Sequence, residues 1–272
     1  MLTASIVTFH TSHKDLERLI SCADEAVVET LFVIDNSSND ELRDFVKNYS
    51  KVRYIHSLNL GYGSGHNIAI RKAIEMGSTY HVVLNPDVYW AGEVLSQLKA
   101  FMDNTPDCGL VMPKITYPSG DTQYLCKLLP TPMDLIGRRF IPLPSYQHKH
   151  DYNYELHWTG YNTTMEVPSL SGCFMFMRCS VLKKIGGFDE RYFMYAEDID
   201  LCRRIGEVSK TIYYPEVSVV HEYDKGSYKN KKLLKYHIHS VIKYFNKWGW
   251  FFDKRRTEKN KKSIHNLRNC PS

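Results

Sequence analysis

Five short apolar runs in the first 110 residues constrain this chain more than any other feature. They are Thr3–Phe9 (TASIVTF), Thr30–Asp35 (TLFVID), Val52–His56 (VRYIH), Tyr80–Asn85 (YHVVLN) and Gly109–Pro113 (GLVMP). Helical stretches separate them. Helices are expected around Asp15–Cys22, over Asn39–Tyr49 with Asn39 as N-cap, over His66–Met76 and over Gly92–Asn104. Several of the strands are apolar throughout rather than alternating. Such strands, interleaved with helices, mark an α/β fold with a mostly parallel sheet covered on both faces. These sheets bind ligands at the carboxyl ends of their strands. The Thr8–Phe9–His10 segment, Asp35 and Asp87 all fall at that edge.

The second half is less regular. Tyr117–Glu166 is rich in Pro, Tyr and His and reads as a long loop or irregular insertion. Regular structure resumes with a strand over Gly172–Arg178, a helix over Ser180–Ile185, a helix over Glu197–Ile205, and two short strands, Thr211–Pro215 and Val217–Tyr223. Hydrophobic residues make up 43% and charged residues 24% of the 272, an ordinary globular balance. No run approaches the ~18 consecutive apolar residues of a membrane span, and the start lacks the marks of a signal peptide, so the expected location is the cytoplasm. The seven cysteines are scattered without a C-x-x-C pair, which indicates neither a zinc site nor a disulfide framework.

Four places can carry chemistry. Asp87, in Asn85–Pro86–Asp87, is either a turn residue or a ligand for Mg²⁺ or Mn²⁺, which one carboxylate can hold when a diphosphate supplies further oxygens. Asp35 either punctuates the start of the next helix or accepts the imide N–H of a pyrimidine base. The loop from Asn59 to Asn67 has Gly61, Gly63 and Gly65 as G-x-G-x-G after the third strand, so it fails the dinucleotide fingerprint. It is a plain turn or a place where backbone and Asn67 approach a nucleotide sugar. Glu197, Asp198 and Asp200 begin a helix. Capping favours acids there, but three in four residues exceed what a cap needs, and crowding raises their pKa values toward general-base duty. Arg204 can pair with Asp200 at i,i+4 and leave Asp198 free. His221 ends the last apolar strand as a structural residue or a metal or phosphate ligand, and Lys225 and Ser227 follow within reach of phosphate.

The motifs VTFH, VIDNSSND, NLGYGSGHNIAI, LNPDV, GCFMFMR and GGFDERYFMYAEDIDLCRR stand in the order of inverting family 2 glycosyltransferases. Over residues 1–225 the chain resembles the bacterial rhamnosyltransferases that build O-antigen and related surface polysaccharides. The resemblance implies a single GT-A domain over 1–225, with a nucleotide-binding half (1–115) and an acceptor half (116–225). It implies that Asp35 binds the base and Asp87 the metal, with Asn85 replacing the first acid of the D-x-D motif. Asp198 becomes the general base and His221 an aid to metal or diphosphate. The donor implied is dTDP-L-rhamnose and the acceptor a lipid-linked oligosaccharide. A UDP-hexose enzyme is the nearest rival. A non-catalytic nucleotide-sugar binding protein and a nucleotidyltransferase fit less well, the first because Asp87 and Asp198 are intact, the second because no basic phosphate loop follows the first strand.

Residues 226–272 form a basic, aromatic extension. Leu234, Ile238, Val241, Ile242 and Phe245 recur at helical spacing among lysines. One reading is a helix packed on the domain followed by a disordered polar tail. The other is peripheral membrane contact through 231–262, with Trp248 and Trp250 at headgroup level. No nucleic-acid motif is present.

Overall fold

The computed structural model describes residues 1–25, 27–137, 144–222 and 230–269. Strands β1 (Leu2–Thr8), β2 (Val28–Asp35), β3 (Val52–His56) and β4 (Tyr80–Leu84) alternate with helices α1 (His13–Ala23), α2 (Leu42–Val46) and α3 (Tyr62–Glu75). The short β5 (Val88–Tyr89), α4 (Val94–Asn104) and β6 (Cys108–Thr116) follow. After the insertion come β7 (Met165–Glu166), β8 (Phe174–Arg178), a helix over Cys179–Ile185, another over Glu197–Ile205, and β9 (Lys210–His221). The insertion is not all loop. A helix spans Pro144–Tyr154, so the five helices from there on are α5 (Pro144–Tyr154), α6 (Cys179–Ile185), α7 (Glu197–Ile205), α8 (Lys231–Trp248) and α9 (Lys254–Asn269).

The expected α/β sheet is present. Its order is β3-β2-β1-β4-β8-β6-β9-β5, with β7 also on β9. The half built from β3, β2, β1 and β4 is wholly parallel. β8 runs antiparallel to both β4 and β6, while β6 and β9 are parallel. β1 and β4 are buried along their whole length, and their polar members pair across the sheet, Ser5 Oγ lying 2.8 Å from His81 Nε2. One hydrophobic core extends from Leu2 to Val219.

Register decides what reaches the ligand edge. Thr8 pairs with Asp35, and Asp35 with His56. β4 ends earlier, with Leu84 opposite Ile6, so the chain leaves the sheet at Asn85 just short of that row.

Three local expectations need correction. Helix α2 begins at Leu42 with Glu41, not Asn39, as its N-cap, and the Asp40 carbonyl accepts from the Arg43 N–H at 2.9 Å. Helix α3 begins at Tyr62, four residues early, and takes in Gly63 and Gly65. The two short C-terminal strands are one, because a register shift opposite Pro113/Lys114 absorbs Pro215 without ending the ladder. The polar tail is also not disordered at its start: α9 is a full helix.

Candidate active site

The first part of the edge is a closed polar knot. The Asp35 carboxylate accepts from Thr8 Oγ1 (3.1 Å), the Ser37 N–H (3.0 Å) and Tyr54 Oη (2.8 Å). His10, at φ +53°, donates its N–H to Ser37 Oγ at 2.9 Å. Asp35 and Thr8 are fully enclosed. A ligand on this surface meets what lies around them: His10 and His56, and the exposed apolar Phe9, Leu58 and Leu60. Asp35 and Thr8 therefore shape the floor of the edge, and the direct contact expected of the Asp35 carboxylate is not available in this conformation.

The second part is the turn after β4. The Asn85 N–H is held by the Cys173 carbonyl at 2.9 Å, and its Oδ1 accepts from Tyr62 Oη at 2.9 Å. Asp87 is part-exposed, but its Oδ1 is enclosed and receives no hydrogen bond; His221 Nε2 lies 3.4 Å away. Gln123 fixes the imidazole from behind, with Oε1 3.0 Å from Nδ1 and Nε2 donating to the His221 carbonyl at 2.7 Å. With Nδ1 as the donor to Gln123, Nε2 faces Asp87 as a second-sphere-oriented ligand would. Burial disfavours a charged imidazole here, but Cys173 and Asp87 favour it more and lift the pKa to about 10. A cation held by both residues must therefore displace a proton.

This arrangement fits a divalent cation. An unpartnered carboxylate oxygen and an oriented imidazole converge, and a nucleoside diphosphate would bring the remaining oxygens. Among the described residues no group of three or more His, Cys, Asp or Glu could hold a metal by itself. The protein thus offers an open set of donors rather than a closed cage.

The third part is Asp198, the residue expected to act as general base. Asp198 lies in the first turn of α7, partly open to solvent. Its Oδ2 accepts from the Gly172 N–H at 2.9 Å and its Oδ1 from the Ile199 N–H at 2.8 Å. Burial raises its pKa, and those two N–H groups oppose the rise. Glu197 is enclosed, and burial followed by the charge of Asp198 holds its pKa well above the carboxylate range. Of the two acids, Asp198 is the one that reaches solvent and holds two backbone N–H donors. The loop before α7 is strained, with Tyr195 at φ +71° and Ala196 at +64°, in a region that side chains other than glycine seldom occupy.

Two residues that sequence reasoning missed join these parts. Tyr62 Oη lies 2.9 Å from Asn85 Oδ1 and 2.8 Å from the Gly172 carbonyl, while the Gly172 N–H holds Asp198. The turn that carries Asp87 and the Asp198 carboxylate are thereby linked through one phenol. Tyr62 was hidden inside a glycine-rich string. Gly172 was read only as the first residue of a strand; a Cβ there would sit 3.1 Å from Asp198 Cβ.

Other expected ligands serve the fold. A Cβ on Gly61 would lie 2.2 Å from the Phe193 carbonyl, and φ is +108°. Its freedom lets the loop close on the Phe193 backbone, whose carbonyl accepts from the Tyr62 N–H at 2.8 Å. Asn59 is exposed and turns inward to accept from the Gly61 N–H at 3.2 Å. Asn67 is buried and spends its amide on Phe188 backbone N–H and carbonyl (2.9 Å each) and on Glu190, so it is closed to a nucleotide sugar. Arg204 pairs with Asp200 at 2.7 Å, the i,i+4 bond anticipated, and reaches the Ile185 carbonyl rather than a ligand edge. Lys225 and Ser227 lie outside the described residues.

Asp200 has two further partners that no local pattern announced. Lys247 Nζ is 2.6 Å and Trp248 Nε1 2.7 Å from its Oδ1, both from α8. The same helix reaches the strained loop through Ser240 Oγ, 2.7 Å from the Met194 carbonyl, and through Lys243 to the Arg191 carbonyl. Helix α8 packs on the domain with Val241, Tyr244 and Phe245 against Tyr192 and Ala196.

The sheet order, the polar strand ends and the C-terminal helices define a GT-A-type fold with an aimed ligand edge. Residues 5–186 match the model of glycosyl transferase family 2, and the chain belongs to that family: it is a glycosyltransferase. The chain is 30% identical over 225 residues to an N-acetylglucosaminyl-diphospho-decaprenol L-rhamnosyltransferase of Mycobacterium tuberculosis, covering 76% of this chain and 71% of the relative. It is 25% identical over 222 residues to the Escherichia coli rhamnosyltransferase WbbL, covering 79% and 81%. In fold it resembles the mannosyltransferase PcManGT of Pyrobaculum calidifontis, solved with GDP-mannose and Mn²⁺, at TM-score 0.63 and 14% identity over 99% of this chain and 70% of that one.

Proposed function

We propose that this glycosyltransferase moves L-rhamnose from dTDP-L-rhamnose to a lipid-linked oligosaccharide in one inverting displacement. The observation that carries the mechanism is the hydrogen-bonded run from Asn85 through Tyr62 and Gly172 to Asp198. It sets a cation-competent carboxylate and an accessible, raised-pKa carboxylate on one edge. The donor and acceptor classes follow from the two relatives, whose names specify rhamnosyl transfer and, in one, a diphospho-decaprenol carrier.

In this reading Asp198 accepts the proton of an acceptor hydroxyl as that oxygen attacks the anomeric carbon. The bond from that carbon to the diphosphate breaks on the opposite face, and configuration inverts. Asp87 and His221 hold Mg²⁺ or Mn²⁺, which when bound neutralises charge on the departing diphosphate. Phe9, Leu58 and Leu60 give the base an apolar rim, and Asp35 keeps the floor beneath it in place.

The test is thermal stabilisation by a panel of nucleotide sugars with Mg²⁺, with Mn²⁺ and with EDTA. A donor at a hundred times its Kd adds about 2.7 kcal/mol to apparent stability. The expected result is selective, metal-dependent stabilisation by dTDP-L-rhamnose, lost in Asp87→Ala. Selective stabilisation by a UDP-hexose would replace the donor and keep the mechanism. Equal stabilisation in EDTA would remove the metal from it.

A further inference from the structure

The strongest unassigned feature is the turn between α8 and α9. Phe251 is 76% and Phe252 99% exposed, side by side in sequence. Single exposed apolar residues are common on protein surfaces and need no account. Two consecutive phenylalanines on a turn built to display them do. Gly249, at φ +100°, ends α8. Asp253 then opens α9, accepting from the Arg256 N–H at 3.0 Å. Its carboxylate is gripped from below by both terminal nitrogens of Arg203, at 2.7 and 2.9 Å, with each side chain only 4% exposed. Arg256, also buried, donates to the Phe251 and Pro130 carbonyls at 3.3 and 3.2 Å. The backbone of the turn is thus clamped from inside while its two rings point away.

The two tryptophans expected at a membrane surface are not the exposed groups. Trp248 donates to Asp200 and lies under Arg203, and Trp250 packs on Phe245 and donates to Asn246. The apolar surface has passed to the phenylalanines.

Charge identifies what covers them. Residues 230–269 hold twelve Lys and Arg against two Asp and Glu, a net +10, while the rest of the chain sums to −5. Next to the rings, Lys254 and Arg255 are 89% and 79% exposed at their side chains, and Lys261 and Lys262 lie exposed along α9. An apolar point set among cations matches an anionic lipid surface, where rings enter the acyl boundary and Lys and Arg meet headgroups.

We propose that the α8–α9 turn is a membrane-docking point, with Phe251 and Phe252 inserted into an anionic bilayer and Lys254 and Arg255 on its headgroups. The inference stands on exposure and charge and is independent of the donor sugar. Because α8 also holds Asp200 and the loop before Asp198, the docking point is rigidly joined to the catalytic half.

Co-sedimentation of the full chain with vesicles tests it, comparing pure phosphatidylcholine with phosphatidylcholine mixed with phosphatidylglycerol. Binding is expected to the mixed vesicles only and to weaken with salt. The double substitution Phe251→Ser/Phe252→Ser is expected to lower that binding at least ~10-fold, with unfolding temperature and transfer to a short-chain, water-soluble acceptor unchanged. Phe252→Leu is expected to retain it. Absence of binding to anionic vesicles, or equal binding by the Ser variant, overturns the proposal. So does a dimer in sedimentation that the Ser variant dissolves, since a second copy would then cover the rings. A lower unfolding temperature in the Ser variant also overturns it, by showing that the rings pack on the chain itself.

Discussion

At the strand-end edge, Asp35 takes its hydrogen bonds from Thr8 and Tyr54, on β1 and β3, and from Ser37, two residues on in the following bend. In α7, Asp200 takes its bonds from Arg204 one turn on and from Lys247 and Trp248, the latter 48 residues further along the chain. Both carboxylates are fully buried. The first is fixed by sheet register, so any sequence that forms the strands also forms the knot. The second exists only when a separate helix docks. Asp198 lies on the same helix as Asp200, and the loop before it is also reached from α8, through Ser240 and Lys243. Two buried carboxylates on one molecule therefore differ in what has to fold before they are satisfied.

Asp198→Asn separates the two regions most sharply. General-base loss typically costs 10²–10⁴-fold, so kcat is expected to fall by about 10³, or ~4 kcal/mol, while donor-induced stabilisation persists. Near-normal turnover would remove Asp198 from the mechanism. Its raised pKa adds a second readout. A carboxylate whose folded pKa is raised binds its proton more tightly in the folded state. Its contribution to stability is then lost as pH rises from the ordinary Asp value through the raised one. The Asn variant escapes that loss and is expected to be more stable than wild type at neutral pH. In the wild type, kcat should rise with pH through a limb lying above the ordinary Asp value. Chemical denaturation and a pH–rate profile check the pair of expectations.

Gly61→Ala attacks the junction between the regions. The new Cβ would meet the Phe193 carbonyl at 2.2 Å and sit at φ +108°. With ψ at 171° this is a region essentially confined to glycine, costing ~1–3 kcal/mol on its own, and with relief of the clash the expected loss is about 3 kcal/mol by denaturant titration. A loss within ~0.5 kcal/mol would mean that the loop and Phe193 separate without cost.

Lys247→Met probes the docked helix alone. Hydrogen bonds to charged groups are worth about 1.5–3 kcal/mol, and Arg204 and Trp248 remain on Asp200, so a loss of ~2 kcal/mol is expected. Donor binding at the strand-end edge should be unchanged while kcat falls. If donor affinity falls equally, the two regions are not separable as argued. Lys247→Arg should restore part of both losses.

The same contrast explains how much was legible beforehand. Period and composition located the parallel strands, and strand ends gave Asp35 and Asp87, because those features are written within a few residues. The i,i+4 bond between Asp200 and Arg204 was readable for the same reason. Helix α5 was not, since its residues Pro144–Tyr154 carry almost no apolar periodicity. The three glycines of the third loop advertised a ligand, yet they let α3 lie against Val7, Phe188 and Phe193. The need for a missing Cβ is visible in sequence, but the neighbour that requires it is not. For Trp248 the packed and the membrane-facing readings stayed open, because nothing local marks a partner 48 residues away.

Tyr62→Phe has the smallest expected effect and tests the link between the two regions. The phenol has one proton and two acceptors, Asn85 Oδ1 at 2.9 Å and the Gly172 carbonyl at 2.8 Å. Burial keeps its pKa well above the ordinary value, so it stays a donor at every pH of interest. Removing it leaves two part-buried acceptors short of one shared hydrogen bond, about 1 kcal/mol, or roughly fivefold in kcat. Asn85→Ala breaks the same link from the other end. If the link is what matters, the double variant should be no slower than the slower single one, since contacting residues are not additive. Fully additive losses would mean that Asn85 and Tyr62 act on the edge separately. The metal-side turn and the base would then be neighbours held by the sheet, with no coupling carried by the phenol.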